Sequence, residues 1–426
     1  MHKNLDNISI TFLSGSAGEL DWVLPILDDL YNRGHKIHLC CLSQNVYKSI
    51  FANKLLRQYI QRSSSPVVVH KCYSFFSKFF DKYSYLFFRL TIKLNLRKLP
   101  LIKNIFLIVE YFLENIFFDR IPKELILHQK SKNLIFNEFP ALRKPYNKWI
   151  KSLFPASIFF YIPHSPHFYT ENLDIHFEEN KDINFNCNSY LLLGHPLDFK
   201  ELKNLYDFSE VEPIFLGHPK YSKHWLEEIK QSSVPKKNHS NNPNILVISR
   251  GVGSYLSPQQ HKYLVDSTCH AIEKNFKKFN LFIKKHPREI NSYWDEKVQK
   301  NKNITYTDSH ILQAAASSDF VISFWSSGAM DCFAMDIPVI EFFDPNISSF
   351  QQVQLNEKDF TTIYRLLGCV IPASNIQELC LCIKDLKDLD FLIKNQHVHP
   401  RLQDLLERSQ HWNEQFLQIL HKNDLL

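Results

Sequence analysis

Three short runs in the second half of the chain bring together residue types that hold phosphate and handle protons. They are Lys285-His286-Pro287-Arg288-Glu289, Thr307-Asp308-Ser309, and Ser323-Phe324-Trp325-Ser326-Ser327-Gly328-Ala329-Met330-Asp331. Ser326 and Ser327 stand before a helix and offer hydroxyl and amide donors to a phosphate. The helix dipole adds about 0.3–1 kcal/mol of preference for negative charge. His286, acting as a donor, can hold a diphosphate oxygen and stabilise charge on a departing nucleotide. Asp331, one helical turn beyond Ser327, faces the same rim and can accept hydrogen bonds from the hydroxyls of a sugar or ribose. Taken singly, each residue has an ordinary structural explanation, since a Ser pair caps helices and His-Pro makes turns. Their common order and spacing favours a site.

Elements that place these residues can be read from the hydrophobic pattern. Ile8–Leu13 (ISITFL) is a β-type run, followed by the small-residue loop Ser14-Gly15-Ser16-Ala17-Gly18, then Glu19-Leu20-Asp21 and an amphipathic helix that Gly34 stops. Lys36–Leu42 makes a second strand and completes a β-α-β unit. The loop puts backbone amides and a helix N-terminus where an anion or sugar can approach, so Ser14, Gly15, Gly18 and Glu19 are acceptor-side candidates. Only Gly15 and Gly18 occupy it, which falls short of the dinucleotide fingerprint. Further apolar runs recur at Asn133–Phe139, Ser157–Ile162, Tyr190–Gly194 and Pro213–Gly217.

The polar stretch Gln231–Asn244 (QSSVPKKNHSNNPN) reads as a linker, and the pattern then restarts. Asn244–Ser249 is a strand, Arg250-Gly251-Val252-Gly253-Ser254 a small-residue loop, and a helix runs from Pro258 to Lys274. Strands at Phe279–Lys284, Ile304–Tyr306, Phe320–Ser323 and Pro338–Phe343 alternate with helices. The expected fold is therefore α/β: two Rossmann-like domains with parallel sheets facing a central cleft, and ligand at the carboxyl ends of the strands. The expected division is a first domain over 1–230 with an aromatic and basic helical insertion over about 71–130, a linker over 231–243, a second domain over 244–400, and a C-terminal helix over 401–426. Gly194-His195-Pro196 and Gly217-His218-Pro219-Lys220-Tyr221 echo one another near the end of the first domain. They read as hinge turns, with His218 and Lys220 open as ligand contacts.

Composition bounds the function classes. The 426 residues carry 44% hydrophobic and 22% charged residues, the balance of a globular chain of more than one domain. A formal charge of +6 suits a phosphate-bearing ligand or an anionic membrane surface and is far from the signature of a nucleic-acid binder. The 9 Cys follow no zinc spacing and sit mostly in apolar runs, which argues for reduced thiols, a cytosolic setting and no metal site. The start of the chain is polar and has no signal-peptide core. Leu101–Phe118 is apolar but interrupted by Lys103, Glu110 and Glu114, whereas a spanning helix wants roughly 20 nearly uncharged residues. Phe75–Leu99 mixes Phe and Tyr with Lys78, Lys82, Arg89, Lys93, Arg97 and Lys98. That pattern fits a helix lying on an anionic leaflet, so a peripheral place on the inner face of the membrane is an expectation beside the plainer one of a helical insertion with a solvated basic face. Most of the 35 Phe are put down to genome composition.

The combination Lys285-His286-Pro287, Asp308, the run Asp319–Asp331 and Met335-Asp336-Ile337-Pro338 resembles the nucleotide-binding half of GT-B transferases that build bacterial surface carbohydrate, such as capsule and lipopolysaccharide. The nearest pattern is the CDP-glycerol glycerophosphotransferase-like group, with the sialyltransferase-like group beside it. The resemblance covers roughly residues 244–343. It implies metal-independent transfer of a sugar from a CMP-, CDP- or UDP-linked donor to a glycan or lipid-linked acceptor, without a further cofactor or a nucleic-acid partner. On that reading Gly251, Gly253, Ser254, Lys285, Pro287, Arg288, Asp308, Ser326, Ser327, Gly328 and Asp331 bind the donor, His286 stabilises the leaving nucleotide, and His164 is the base, with His167 second and Glu19 and Asp21, just after the first loop, as acidic alternatives. Two departures stand out: Phe324 and Trp325 replace the usual Asp and Tyr, and Ser165 follows His164 where the group has Gly. Alternatives are polyol-phosphate transfer, a UDP-N-acetylglucosamine 2-epimerase-like enzyme and a non-catalytic glycan-binding protein. The epimerase reading is placed behind because that family has Ser-Gly-Gly and paired Glu where this chain has Ser326-Ser327-Gly328 and Asp331 alone.

Overall fold

The computed structural model describes residues 8–13, 18–61, 67–73, 121–138, 150–162, 189–203, 208, 210–233, 242–252, 256–286, 289, 292–345, 353–354, 360–386 and 398–425. The aromatic and basic segment from Phe75 to Leu99 and the loop with His164 and His167 lie outside them. Among the described residues no helix is long and apolar enough to cross a membrane.

In the first domain the strands are β1 (Ile8–Leu13), β2 (Lys36–Cys41), β3 (Val68–Lys71), β4 (Leu134–Glu138), β5 (Ile158–Ile162), β6 (Ser189–Leu193) and β7 (Val211–Phe215). They form one parallel sheet in the order β3-β2-β1-β4-β5-β6-β7. Its helices are α1 (Gly18–Asn32), α2 (Gln44–Ala52), α3 (Lys54–Ile60), α4 (Lys123–Leu127), α5 (Pro196–Leu202) and α6 (Lys223–Ser232), with a one-turn 3₁₀ helix at Pro219–Tyr221 before α6.

The second sheet contains β8 (Asn244–Ile248), β9 (Asn280–Lys284), β10 (Ile304–Tyr306), β11 (Phe320–Ser323), β12 (Val339–Phe342) and β15 (Ile371–Ala373), all parallel, in the order β10-β9-β8-β11-β12-β15. A separate antiparallel pair joins β13 (Val353–Gln354) to β14 (Phe360–Thr361). The helices are α7 (Pro258–Asn275), α8 (Trp294–Lys300), α9 (Ile311–Ala316), α10 (Gly328–Ala334), α11 (Ile363–Leu366) and α12 (Ile376–Asp385), followed by α13 (Pro400–Gln410) and α14 (Trp412–Lys422).

Strands covered on both faces read as unbroken apolar runs, and β1, β5, β6 and β11 are buried throughout. Each sheet reverses its strand order once, between β1 and β4 in the first and between β8 and β11 in the second. Such reversals open a crevice at the carboxyl ends of the strands, where ligands of open α/β sheets bind.

The last two helices return to the first domain. Phe416 of α14 packs on Phe136 of β4 and Phe160 of β5, at ring-centroid distances of 6.3 and 5.3 Å. Asn423 donates to the hydroxyl of Tyr190 at 2.8 Å, and Arg401 pairs with the buried Asp198. His218 donates its backbone N–H to Ser409 Oγ at 2.9 Å. The adjoining Gly217 has φ +68°, and a Cβ there would stand 2.4 Å from the Ser409 nitrogen. Left-handed backbone and close approach both require glycine at this turn. The chain expected as one C-terminal helix over 401–426 thus holds two helices, α13 and α14, with side chains packed against the first domain.

Six described cysteines, Cys40, Cys41, Cys72, Cys269, Cys332 and Cys369, are buried free thiols.

Candidate functional site

Four chain segments meet between the domains in a cluster of charged and hydrogen-bonding side chains. Asp21 comes from the first turn of α1, just beyond β1. Lys220 and Tyr221 come from the 3₁₀ turn after β7. His310 precedes α9, and Asp331 lies in the first turn of α10, just beyond β11. Lys220 Nζ is 3.0 Å from Asp21 Oδ2 and 2.7 Å from Asp331 Oδ1, so one ammonium bridges a carboxylate of each domain. The Tyr221 hydroxyl donates to Asp331 Oδ1 at 2.9 Å.

His310 contributes from the other side. Its Nδ1 accepts the backbone N–H of Leu312 at 3.2 Å as the cap of α9, which leaves Nε2 as the donor to Asp21 Oδ1 at 2.7 Å. Side-chain exposures of 14% for Asp21, 9% for Asp331, 7% for Lys220 and 3% for His310 put the cluster out of bulk water. Burial works against the charged form of Asp21, but His310 and Lys220 outweigh it and hold the carboxyl well below the usual range. Burial likewise works against the Lys220 ammonium, and its two carboxylates overcome that and raise its pKa. Burial and the neighbouring Asp331 both push the Tyr221 phenol upward, so it stays protonated and donates. Beside the cluster, the indole of Trp22 donates to His218 Nδ1, which sets the turn that carries Lys220.

Ser326 and Ser327 lie half-buried at the start of α10, on the same rim as Asp331. Ser326 Oγ accepts the Gly328 N–H at 3.3 Å, and Ser323 Oγ accepts the Ser326 N–H at 3.2 Å. A Cβ on the buried Gly328 would come within 3.3 Å of Ile248 and Ile311, so a small residue lets α10 sit close to β8 and α9. Trp325 adopts φ 55° and stacks on Phe343 at 5.2 Å. The Arg250 guanidinium lies 4.6 Å over the Trp325 ring and donates to the Trp325 carbonyl at 2.5 Å. The end of β8 therefore brings a cation to the end of β11.

The remaining expected donor-side residues spread out. His286 is half-buried, and its backbone N–H points to Glu289 Oε2 at 3.4 Å. Gly251 rests on that glutamate, since a Cβ would stand 2.6 Å from Glu289 Cγ. Glu289 also accepts from Ser249 at 3.0 Å, and the Trp294 indole donates to Ser249 Oγ at 3.1 Å, so this carboxylate braces the loops after β8 and β9. Lys285 turns away: it pairs with Asp295 at 2.6 Å and lies 4.2 Å over the ring of Tyr306, beside the outer strand β10. Asp308 is exposed. Gly18 is exposed at the first residue of α1, and the side chain of Glu19 falls outside the described residues. So do Ser14, Gly15, His164, His167, Gly253, Ser254, Pro287 and Arg288.

The structure thus brings Ser326, Ser327, Gly328 and Asp331 to one rim and completes it with Asp21 and Lys220. Asp21 and Lys220 carried a weak signal, an acid after a small-residue loop and a Gly-His-Pro-Lys-Tyr turn before the linker. His310 and Arg250 had none, because nothing in their local pattern says what they face. Among the described residues no three His, Cys, Asp or Glu side chains converge as a metal would need.

No protein-family model and no curated protein matches the chain. Solved structures do. A putative UDP-N-acetylglucosamine 2-epimerase from Listeria monocytogenes superposes with a TM-score of 0.53 at 9% identity over 95% of this chain and 94% of that one. The UDP-GlcNAc 2-epimerase of Methanocaldococcus jannaschii in complex with UDP-GlcNAc and UDP gives 0.52 at 11%, over 97% and 99%. That of Neisseria meningitidis bound to UDP-GlcNAc gives 0.50 at 12%, over 96% and 100%. The chain has the GT-B-like fold, two parallel-sheet α/β domains matched along their whole length; at these identities the likeness concerns fold alone.

Proposed function

We propose that the protein acts on a nucleotide-activated sugar in the cleft between its domains, breaking the bond from the anomeric carbon to the diphosphate and inverting the sugar at C2 as a 2-epimerase does. The observation that carries this reading is the pair of carboxylates, Asp21 and Asp331, one from each domain, at the carboxyl ends of β1 and β11 and held by the same Lys220. Inversion at C2 needs the C2–H bond broken and a proton returned to the opposite face, which calls for proton-handling groups on two sides of the ring. The objection that Asp331 stands alone on its helix loses force, because a second carboxylate arrives from α1. Hydroxyls of an entering sugar can take over the hydrogen bonds that Lys220 and Tyr221 make to Asp331. As the C1–O electron pair leaves with the diphosphate, the C2–H pair forms a C1=C2 double bond, and Ser326, Ser327 and Arg250 are donors that can receive the diphosphate charge. Return of the diphosphate to C1 and of a proton to the other face of C2 re-forms the C1–O bond in the inverted sugar.

The Ser-Ser-Gly start of α10 and the His-Pro after β9, which together carry the sequence resemblance, support a second reading: transfer of the sugar to a glycan or lipid-linked acceptor with His164 as base, or of a polyol phosphate from a CDP-linked donor. One experiment separates the readings. With UDP-N-acetylglucosamine in deuterated water, epimerisation yields the manno-configured sugar carrying deuterium at C2, and Asp331→Asn slows it about 100-fold or more. Transfer retains the C2 hydrogen and releases nucleotide only when an acceptor is added. Absence of calorimetric binding to UDP, CDP and CMP alike overturns both.

A further inference from the structure

The turn that carries Lys220 and Tyr221 is gripped at both ends by α13. At its start the backbone N–H of His218 donates to Ser409 Oγ at 2.9 Å, and that hydroxyl donates in turn to the Leu405 carbonyl at 2.7 Å. At its end the Gln410 amide spans the junction between the 3₁₀ turn and α6. Its Oε1 accepts the Lys223 N–H at 2.8 Å, while its Nε2 donates to the Tyr221 carbonyl at 3.2 Å and to the Leu406 carbonyl at 2.9 Å. The first N–H groups of a helix have no partner within it, and Ser222, at the N-cap of α6, makes no side-chain cap. Gln410 supplies that cap from 187 residues along the chain.

α13 is itself anchored in both domains. The His399 N–H donates to the Leu367 carbonyl of the second domain at 3.0 Å, and Arg401 pairs with Asp198 of the first. Between the two gripped ends of the turn stands Lys220, whose ammonium lies 3.0 Å from Asp21 and 2.7 Å from Asp331 at once. The Tyr221 hydroxyl adds its bond to Asp331 at 2.9 Å. An arrangement with so many simultaneous contacts tolerates little drift, and a misplacement of about 1 Å can cost roughly 100-fold in rate. We propose that Ser409 and Gln410 are positioning residues for the cleft: by clamping both ends of the turn, α13 fixes Lys220 and Tyr221 against Asp331. The consequence for turnover rests on the cleft reading above, whereas the consequence for Lys220 does not. Ser409 is buried and Gln410 exposed, so truncating Gln410 opens no cavity and makes it the cleaner probe.

Two measurements on the full chain test this assignment. A buried, ion-paired ammonium exchanges its protons slowly, so Lys220 should give a sharp signal in lysine-selective nitrogen-15 NMR, which Lys220→Arg identifies. Gln410→Ala is expected to speed that exchange at least about tenfold and to lower kcat on UDP-N-acetylglucosamine about tenfold, with the Kd for UDP within about twofold. Gln410→Glu keeps the acceptor for Lys223 and loses the donor to Tyr221, and should fall between. Gln403→Ala, at another exposed glutamine of α13, should match the unaltered protein in both. The assignment is overturned if Gln410→Ala leaves the ammonium exchange unchanged, if Gln403→Ala alters it equally, or if exchange quickens while turnover holds. Faster exchange in Gln410→Ala, with no turnover even in the unaltered protein, would sink the cleft reading and leave the clamp on Lys220 standing.

Discussion

Asp21, partly buried, and Glu341, fully buried, are both carboxylates held by a cation, and burial raises the pKa of each but wins only at Glu341. Glu341 on β12 is fully buried and accepts from Arg365 Nε at 2.8 Å and from Thr362 Oγ1 at 2.6 Å. Arg365 spends its other donors on the Phe343 carbonyl at 2.5 Å and Ser374 Oγ at 3.2 Å. All of these groups belong to the second domain, so the cluster is an internal brace between strand and helix. Burial wins there, and the Glu341 pKa is raised despite its partners. Around Asp21 the partners win, because His310 and Lys220 approach from opposite sides and opposite domains. A brace within one domain forms once, as the domain folds. A cluster shared by two domains forms only where they meet, and its strength bears on whether the cleft is open or closed.

The largest expected effect tests whether these clusters differ in role or only in place. Lys220→Met leaves Asp21 and Asp331 without their cation and should cost about 3–5 kcal/mol in urea unfolding, together with loss of turnover. Arg365→Met should cost a similar amount of stability, yet whatever protein remains folded should keep turnover within about threefold of the original. If both variants retain activity when folded, the cluster between the domains is a brace too.

Acid and base titrations sharpen the contrast through its sign. The folded pKa of Asp21 lies below its ordinary 3.8, so its contribution to stability is complete above that value and is lost as pH falls through the folded pKa. The folded pKa of Glu341 lies above its ordinary 4.5, so the folded state holds the extra proton and stability falls as pH rises from 4.5 through the folded pKa. Asp21→Asn should therefore flatten the acid limb of a plot of stability against pH, and Glu341→Gln the limb above 4.5. Flattening on the same side by both variants would contradict the assigned directions.

Smaller again is the expected effect at the rim. Ser326→Ala with Ser327→Ala should weaken UDP binding by about 1–2 kcal/mol in calorimetry, one ordinary hydrogen bond each, with the unfolding midpoint nearly unchanged. Unchanged affinity would confine the Ser pair to capping α10.

Much of this architecture is legible locally. Ile8–Leu13, Asn244–Ile248 and Phe320–Ser323 are apolar runs bounded by Gly and Ser, and their strand character follows from that pattern alone. The parallel arrangement follows from alternation with helices. Ser326, Ser327 and Asp331 are equally legible, since three or four residues of helix place them on one rim. Lys285 shows the limit: its neighbour His286 suggests phosphate, but the ammonium finds Asp295 and Tyr306 beside the outer strand. Its direction depends on partners 10 and 21 residues further along the chain, which no local pattern encodes.

The sequence by itself determined two strand-loop-helix domains and a Ser-Ser-Gly turn with Asp331 one helical turn on, because hydrophobic period and loop composition act within a few residues. The tertiary structure decided that Lys220, 199 residues beyond Asp21 and 111 before Asp331, joins both, and that the final helices close back over the first sheet. The physical reason is that a buried charge is stable only beside its counter-charge. Which residues become neighbours is set by how two sheets and their connecting turns pack, and that information is spread over the whole chain.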